Sequence, residues 1–427
     1  MKISNVLQSI ENNEMLDTFK NLYGEDEVEL GKQKERYINA INIFSDLYQT
    51  KDDIHIFSAS GRTEIGGNHT DHQNGCVLAA AINLDIIAVV AFHDEGIIRL
   101  KSEGYEDVIL DINNLSKSAP KTDTELMVKG IASKFIEKGI SIKGFDAYCT
   151  SNIKSGAGVS SSAAFEVLIG TIIDTYYNDK RLGPIEIAKI GQHVENVYLG
   201  KSSGLMDQTI STIGGLAYID FLENENPKIE SFNFDFEKYG YALCITDTKS
   251  SHANLTNDYV AIRNEMESVA KQFGKEHLRF VDEEAFYNTI AKLRETCTDR
   301  AITRAAHFFE ENRRARLETE ALKVGDIETF LDLVRKSGQS SATLLQNYYS
   351  CSNPENQAIT IGVLMSEKIL SGKGAVRVHG GGFAGTIQAF VPATLVDEYV
   401  TKMNSVFGEG ACTKIRIRAR GAQRDVR

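Results

Sequence analysis

"SGAGVSSSAAFE", residues 155–166, leaves a strand-like segment through two glycines and passes three consecutive serines into an apolar helix. Gly156 and Gly158 carry no Cβ, so the backbone there can approach an anion closely. The helix opens at Ser160–Ser162, where unpaired N–H groups and the positive end of the dipole favour phosphate. Ser160, Ser161 and Ser162 add hydroxyls that can hydrogen-bond or ligate Mg²⁺, a hard cation that prefers oxygen. One serine would be an ordinary N-cap. Three after G-x-G exceed what capping needs, so the stretch reads as a nucleotide-phosphate cradle set against a plain capped helix start. It is not a Walker loop, because G-x-x-x-x-G-K-[ST] occurs nowhere in the chain.

Working outward, "GFDAYCTSNI" (144–153) reads as the strand feeding this loop, and "TELMVKGIASKFIEKG" (124–139) as an amphipathic helix before it. "GPIEIAKIGQHVENVYLG" (183–200) reads as one helix, with proline in its first turn and glycine at its end. Apolar spacing predicts helices over the first 45 or so residues, then a strand at "IHIFSAS" (54–60). That strand runs into "GRTEIGGNHTDHQNG" (61–75), with one Arg, one Glu, two His, one Asp and two Asn, too polar to be core. "LENENPK" (222–228) reads as a linker, and a long helical region is expected over roughly 255–350. In "KIRIRARGAQRDVR", Ile415, Ile417 and Ala419 alternate with Arg416, Arg418 and Arg420, as in a half-buried strand with a solvated charged face. Strands and helices mix without regular alternation, which favours α+β over a doubly wound parallel sheet.

At 427 residues, two domains are expected. A net charge of −12 argues against nucleic acid or an anionic membrane surface as partner. The longest apolar run, 77–92, contains Asn83 and Asp85 and is too short to span a bilayer. Six cysteines show no C-x-x-C pair, and the N-terminal segment has acids where an export signal needs an apolar run. A cytoplasmic protein, monomeric or weakly homo-oligomeric, is expected.

Other segments carry softer chemistry. Asp207 in "GLMDQTIS" could be a base, a metal ligand or a cap, and Glu195 is an ordinary helix carboxylate unless a metal pairs it. "SSHANLTNDYVAIRNE" (250–265) gathers His252, Asn254, Asn257, Asp258 and Tyr259, suited to sugar hydroxyls or to an elaborate cap. "GGGFAG" (380–385) matches G-x-G-x-x-G formally, but it lies too near the C-terminus and lacks the acidic residue of a dinucleotide site. A loop closing on substrate or phosphates is the better reading.

Taken in order, "SASGRTEIGGNHTDHQNGCVL", "SGAGVSSSAAFE", "GLMDQ", "SSHANLTNDYVAIR" and "VHGGGFAGTIQAF" resemble the successive motifs of galactokinases in the GHMP small-molecule kinase superfamily. The resemblance implies a two-domain α+β GHMP kinase fold, divided as 1–222 and 223–427, with the active site in the cleft between domains. It implies transfer of the ATP γ-phosphoryl to the anomeric C1 hydroxyl of galactose. Gly156, Gly158, Ser160, Ser161, Ser162 and Ala163 would surround the phosphates, and Ser162 and Glu195 would ligate Mg²⁺. Arg62 and Asp207 match the catalytic pair, with Asp207 orienting or deprotonating the hydroxyl and Arg62 stabilising charge. Asn68, His69, Asp71 and Tyr259 match sugar contacts. The family usually reads G-R-V-N-L-I-G-E-H-T-D where this chain has "GRTEIGGNHTD". Glu64 thus replaces Asn, Gly66 an aliphatic residue, and Asn68 a Glu that commonly contacts the sugar's far hydroxyl. That loss leaves galacturonate or N-acetylgalactosamine as alternative sugars. Non-catalytic galactose sensors lack part of the serine motif; "VSSSAA" is complete, so catalysis is expected.

Overall fold

The computed structural model describes residues 1–49, 53–115, 120–153, 158–201, 203–250, 255–383 and 385–426. The strand Cys76–Phe92 organises the larger of two sheets, which has eight strands. His55–Gly66 pairs with it antiparallel. It also pairs antiparallel with Leu216–Asp220 near its start and Gly144–Ser151 near its end. Ile97–Ser102 lies parallel to Gly144–Ser151 and carries Val108–Asp111 beside it. The continuous Val/Ile/Ala run of the central strand reflects burial on both faces. Ile86, Ala88 and Val90 face a core shared with helices Asp123–Glu137, Ser161–Tyr177 and Gly183–His193. Ile87, Val89 and Ala91 face a second core supplied by Ile3–Glu11, Leu16–Tyr23 and Glu27–Tyr48.

A smaller antiparallel sheet runs in the order Cys412–Ile415, Tyr241–Asp247, Thr386–Pro392, Ala375–Val378. Helices Ala358–Leu370 and Val396–Phe407 pack on it. The 26-residue helix Asp299–Val324 packs against both His55–Gly66 and Cys76–Phe92 as well as helix Ile327–Ser340. Largely antiparallel sheets with segregated helices make the fold α+β, as expected.

Three expectations are corrected. The segment 222–228 is a hairpin loop, because Lys228–Phe232 pairs with Leu216–Asp220 and stays in the first sheet. The last strand, Gln423–Val426, also returns to that sheet beside His55–Gly66. Polar composition looks the same in a linker and in a hairpin turn; only strand pairing separates them. Second, Arg418 is fully buried, not solvated. Its guanidinium donates to the buried Asp85 carboxylate and to Ser58 Oγ, each at 2.7 Å. Asp85 also accepts from Arg36 and from the Tyr23 hydroxyl, each at 2.7 Å, tying both chain ends to the central strand. Third, Arg62, Thr63, Glu64, Asn68 and Thr70 are buried despite their polarity, and their partners explain why.

Among the described residues, no helix is long and apolar enough to cross a membrane.

Candidate active site

Arg62 projects from His55–Gly66 and is 7% exposed. It grips the Asp207 carboxylate with two bonds, Nε to Oδ1 and Nη2 to Oδ2, each 2.6 Å. Such fork-on-carboxylate geometry fixes orientation as well as distance. Arg62 Nη1 donates to the Gly158 carbonyl at 2.7 Å, which fastens the pair to the serine loop. Asp207 lies in the first turn of Met206–Ile213 and keeps part of its carboxylate open, with a side chain 27% exposed. The Ser160 hydroxyl also donates to Asp207. Ser160 therefore does not cap its helix: it sits at φ +59° with no side-chain cap bond. A left-handed non-glycine residue of this kind is strained, and such strain collects at functional sites.

Ser161, Ser162 and Ala163 form the first turn of Ser161–Tyr177, where amides lack intrahelical acceptors. Gly156 lies outside the described residues. Ser162 Oγ donates to Glu195 Oε1 at 2.9 Å, bringing together two residues far apart in the chain. Glu195 is held on a single π-helical turn, Val194–Tyr198, so the helix expected over 183–200 is α-helical only to His193. Such bulges are frequent at functional sites. Gln208 Nε2 bridges Glu195 Oε2 and Glu166 Oε2, each at 3.0 Å. Burial, with the Glu195 charge nearby, pushes the Glu166 acid up to about 9. Ser162 and Glu195 form an oxygen-only set of two donors. Among the described residues, no three His, Cys, Asp or Glu cluster as a metal cage. This fits Mg²⁺, which takes one or two protein ligands and completes its octahedron with phosphate and water oxygens.

The residues expected on the sugar side divide into two groups. Asp71 is half-buried; its Oδ1 accepts from His72 N at 2.8 Å, and its carboxylate packs so closely on Gly204 that a Cβ there would overlap it. Burial raises its acid to about 7, with the Asp207 and Glu64 charges adding to the effect. The Tyr259 hydroxyl donates to Gly382 O at 3.1 Å, which leaves its oxygen lone pairs. Asn68 and His69 differ. Asn68 is fully buried, and His69 has both ring nitrogens engaged. His69 Nε2 donates to Gly381 O at 3.0 Å, so the neutral ring must accept at Nδ1 from His72, 3.3 Å away. Burial holds His69 down at about 4. The expected contacts from Asn68 and His69 are thus spent within the protein. Of the remaining cluster, His252 and Asn254 lie outside the described residues, and Asp258 pairs with Ser350 at 2.6 Å.

Behind these residues lies a buried polar layer that no local sequence pattern announces. Arg377, fully buried, donates to Ile65 O at 2.6 Å and pairs with Glu64. His379 Nε2 accepts from Glu64 N–H at 3.1 Å and lies 3.0 Å from the Thr63 hydroxyl; burial keeps the ring neutral. Arg314 pairs with Glu311, which accepts from Gly67 N and Asn68 N at 3.2 and 3.3 Å. Burial alone would raise the Glu311 acid, but Arg314, His307 and Arg377 outweigh it and hold it at about 2. The Glu318 carboxylate occupies the space that a Cβ at Gly66 would need. The unusual Gly66 was the one available signal.

Two family signatures match the chain. Residues 42–92 match the galactokinase galactose-binding signature and residues 126–215 the GHMP kinases N terminal domain. The first interval contains Arg62 and Asp71, the second the serine helix, Glu195 and Asp207. The chain is 31% identical over 337 residues to the galactokinase of Actinobacillus pleuropneumoniae serotype 5b (strain L20), covering 78% of this chain and 84% of that protein. It is 30% identical over 343 residues to that of Glaesserella parasuis serovar 5 (strain SH0165), covering 79% and 85%. Its fold matches the crystal structure of Lactococcus lactis galactokinase complexed with galactose, with TM-score 0.76, 21% identity, and coverage of 90% and 98%. Methanococcus jannaschii mevalonate kinase matches at TM-score 0.59 and 18% identity, covering 86% and 99%.

Proposed function

The chain belongs to the galactokinase family of GHMP kinases, and from this premise we propose that it transfers the ATP γ-phosphoryl group to the C1 hydroxyl of galactose. The observation carrying this reading is the Arg62–Asp207 pair, tied to the serine loop through Gly158 O and Ser160. Asp207 presents a carboxylate to the C1 hydroxyl and accepts its hydrogen bond as the oxygen attacks. Arg62 keeps two further N–H groups for the charge that spreads over the transferring phosphoryl oxygens. The first-turn amides of Ser161–Tyr177 and the helix dipole would hold the phosphates. Bound between Ser162 and Glu195, Mg²⁺ would neutralise phosphate charge. Asp71 and Tyr259 accept sugar hydroxyls. Phosphoryl transfer needs positioning and charge stabilisation without a covalent intermediate, and these groups suffice. We place the reaction in the cytoplasm, a reading its six free thiols support.

The test is a coupled ATPase assay with galactose on the native protein and on Asp207→Asn. The variant should lose at least ~1,000-fold in turnover while ATP binding is retained. A near-normal rate in Asp207→Asn refutes the assigned role.

A further inference from the structure

Gln208 is fully buried, and its amide stands between two carboxylates. It follows Asp207 in the first turn of Met206–Ile213, where successive side chains point about 100° apart. Asp207 therefore meets Arg62 and keeps an open side, while Gln208 turns inward. An amide nitrogen carries two hydrogens. Both of those on Gln208 Nε2 are used, one on Glu195 Oε2 and one on Glu166 Oε2, each at 3.0 Å. The reverse orientation would set Gln208 Oε1 against the Glu195 carboxylate, acceptor against acceptor, so the bonds themselves fix the amide. Packing fixes it further. A Cβ at Gly191 would stand 3.1 Å from both Gln208 Cγ and Glu166 Oε2, so helix Gly183–His193 lies directly against the pair.

Glu195 takes its orientation from this contact. Its stem rises from the π-helical turn Val194–Tyr198, and Gln208 holds Oε2 inward. The other oxygen, Oε1, is thereby turned to Ser162 Oγ, 2.9 Å away. Lys201 Nζ also reaches Oε1, at 3.3 Å, from a side chain that is half exposed and can withdraw into solvent. We propose that Gln208 is a positioning residue for the metal carboxylate. It holds one oxygen of Glu195 inward so that the other, with Ser162, is kept for the cation of the bound nucleotide. The inference rests on the kinase reading above and on Ser162 and Glu195 as the Mg²⁺ pair. Without the amide, Glu195 keeps its charge but loses the bond that selects its rotamer. Removing a partner that orients a metal ligand typically weakens metal binding by ~10–100-fold. Because Asp207 and Gln208 are neighbours on one helix, a single rigid element sets both the C1 carboxylate and the metal carboxylate.

The experiment measures, by isothermal titration calorimetry, the Kd of a non-hydrolysable ATP analogue with saturating Mg²⁺ and with EDTA. The ratio of the two values reports the metal's contribution independently of turnover. Native protein is compared with Gln208→Met, in which the side chain has nearly the same length and no hydrogen to donate. The native protein should bind the analogue more tightly with Mg²⁺. Gln208→Met should lose ~10-fold or more of that tightening, with its affinity in EDTA unchanged. The Mg²⁺ concentration for half-maximal turnover should rise with it, while the KM for galactose stays the same. If Gln208→Met does not fold, Gln208→Met/Glu166→Met removes the acid stranded behind it and carries the same measurement. Full Mg²⁺-dependent tightening in the variant overturns the proposal. Equal weakening with and without Mg²⁺ also overturns it, since that is the mark of a structural role. So does a native protein that phosphorylates galactose yet binds the analogue equally well in EDTA. Failure of the native protein to phosphorylate galactose overturns the kinase reading itself, whatever the variant does.

Discussion

Glu318→Gln should stabilise the protein near neutral pH, with a gain that grows as pH rises. Glu318 is fully buried in Asp299–Val324, and neither carboxylate oxygen has a hydrogen-bond partner among the described residues. Three acids, Glu64, Glu311 and Glu318, share this layer with two cations, Arg314 and Arg377. The arginines balance Glu64 and Glu311, so the third acid stays neutral. Burial first, and then the Glu311 charge, push Glu318 well above the usual carboxylate range. The folded protein therefore keeps a proton that the unfolded chain releases above ~4.3. Stability from neutral Glu318 is complete below that pH and declines as pH rises toward the folded value. The slope is ~1.4 kcal/mol per pH unit for one proton taken up on folding. Glutamine has nearly the same shape and no proton to lose, so the variant lacks this slope. Urea unfolding of both proteins at pH 6, 7 and 8 should show the difference widening by ~1.4 kcal/mol per unit while Glu318 stays protonated. Parallel stability profiles for wild type and variant would mean that Glu318 carries no extra proton in the folded protein.

Asp71 predicts a pH dependence of sugar binding. With its acid at about 7 in the free protein, falling pH protonates the acceptor, so the sugar KM should rise roughly tenfold per unit below that point. It should level off above, and Asp71→Asn should flatten the profile. Gly66→Val would drive a side chain into the Glu318 carboxylate and should cost about 1–3 kcal/mol in chemical unfolding. Adding Glu318→Ala to that variant should recover much of the loss, and no recovery would exclude the overlap as its cause. Arg418→Met removes one partner of a fully buried ion pair with Asp85 and should cost about 3–5 kcal/mol. A thermal unfolding midpoint unchanged in Arg418→Met would return the C-terminal strand to the solvated-edge reading.

Local patterning along the chain was enough for the helices and strands whose burial follows periodicity. It also determined the ordered motifs that hold Arg62, Ser160, Ser162, Glu195, Asp207 and Asp71. Periodicity works there because alternate residues of a strand such as Cys76–Phe92 face different cores. Tertiary structure alone decided the rest. Glu64 and Asn68 are buried because Arg377, Glu311 and His307 arrive from elements more than 200 positions away to satisfy them. Arg418 is internal because Asp85 waits on the central strand. Lys228–Phe232 is a strand because Leu216–Asp220 offers an edge. Burying a polar group is tolerated only when its partner is in place. That partner is a property of the folded space, not of any local window of the chain, and at Asn68 four partners take up both amide hydrogens and both lone pairs.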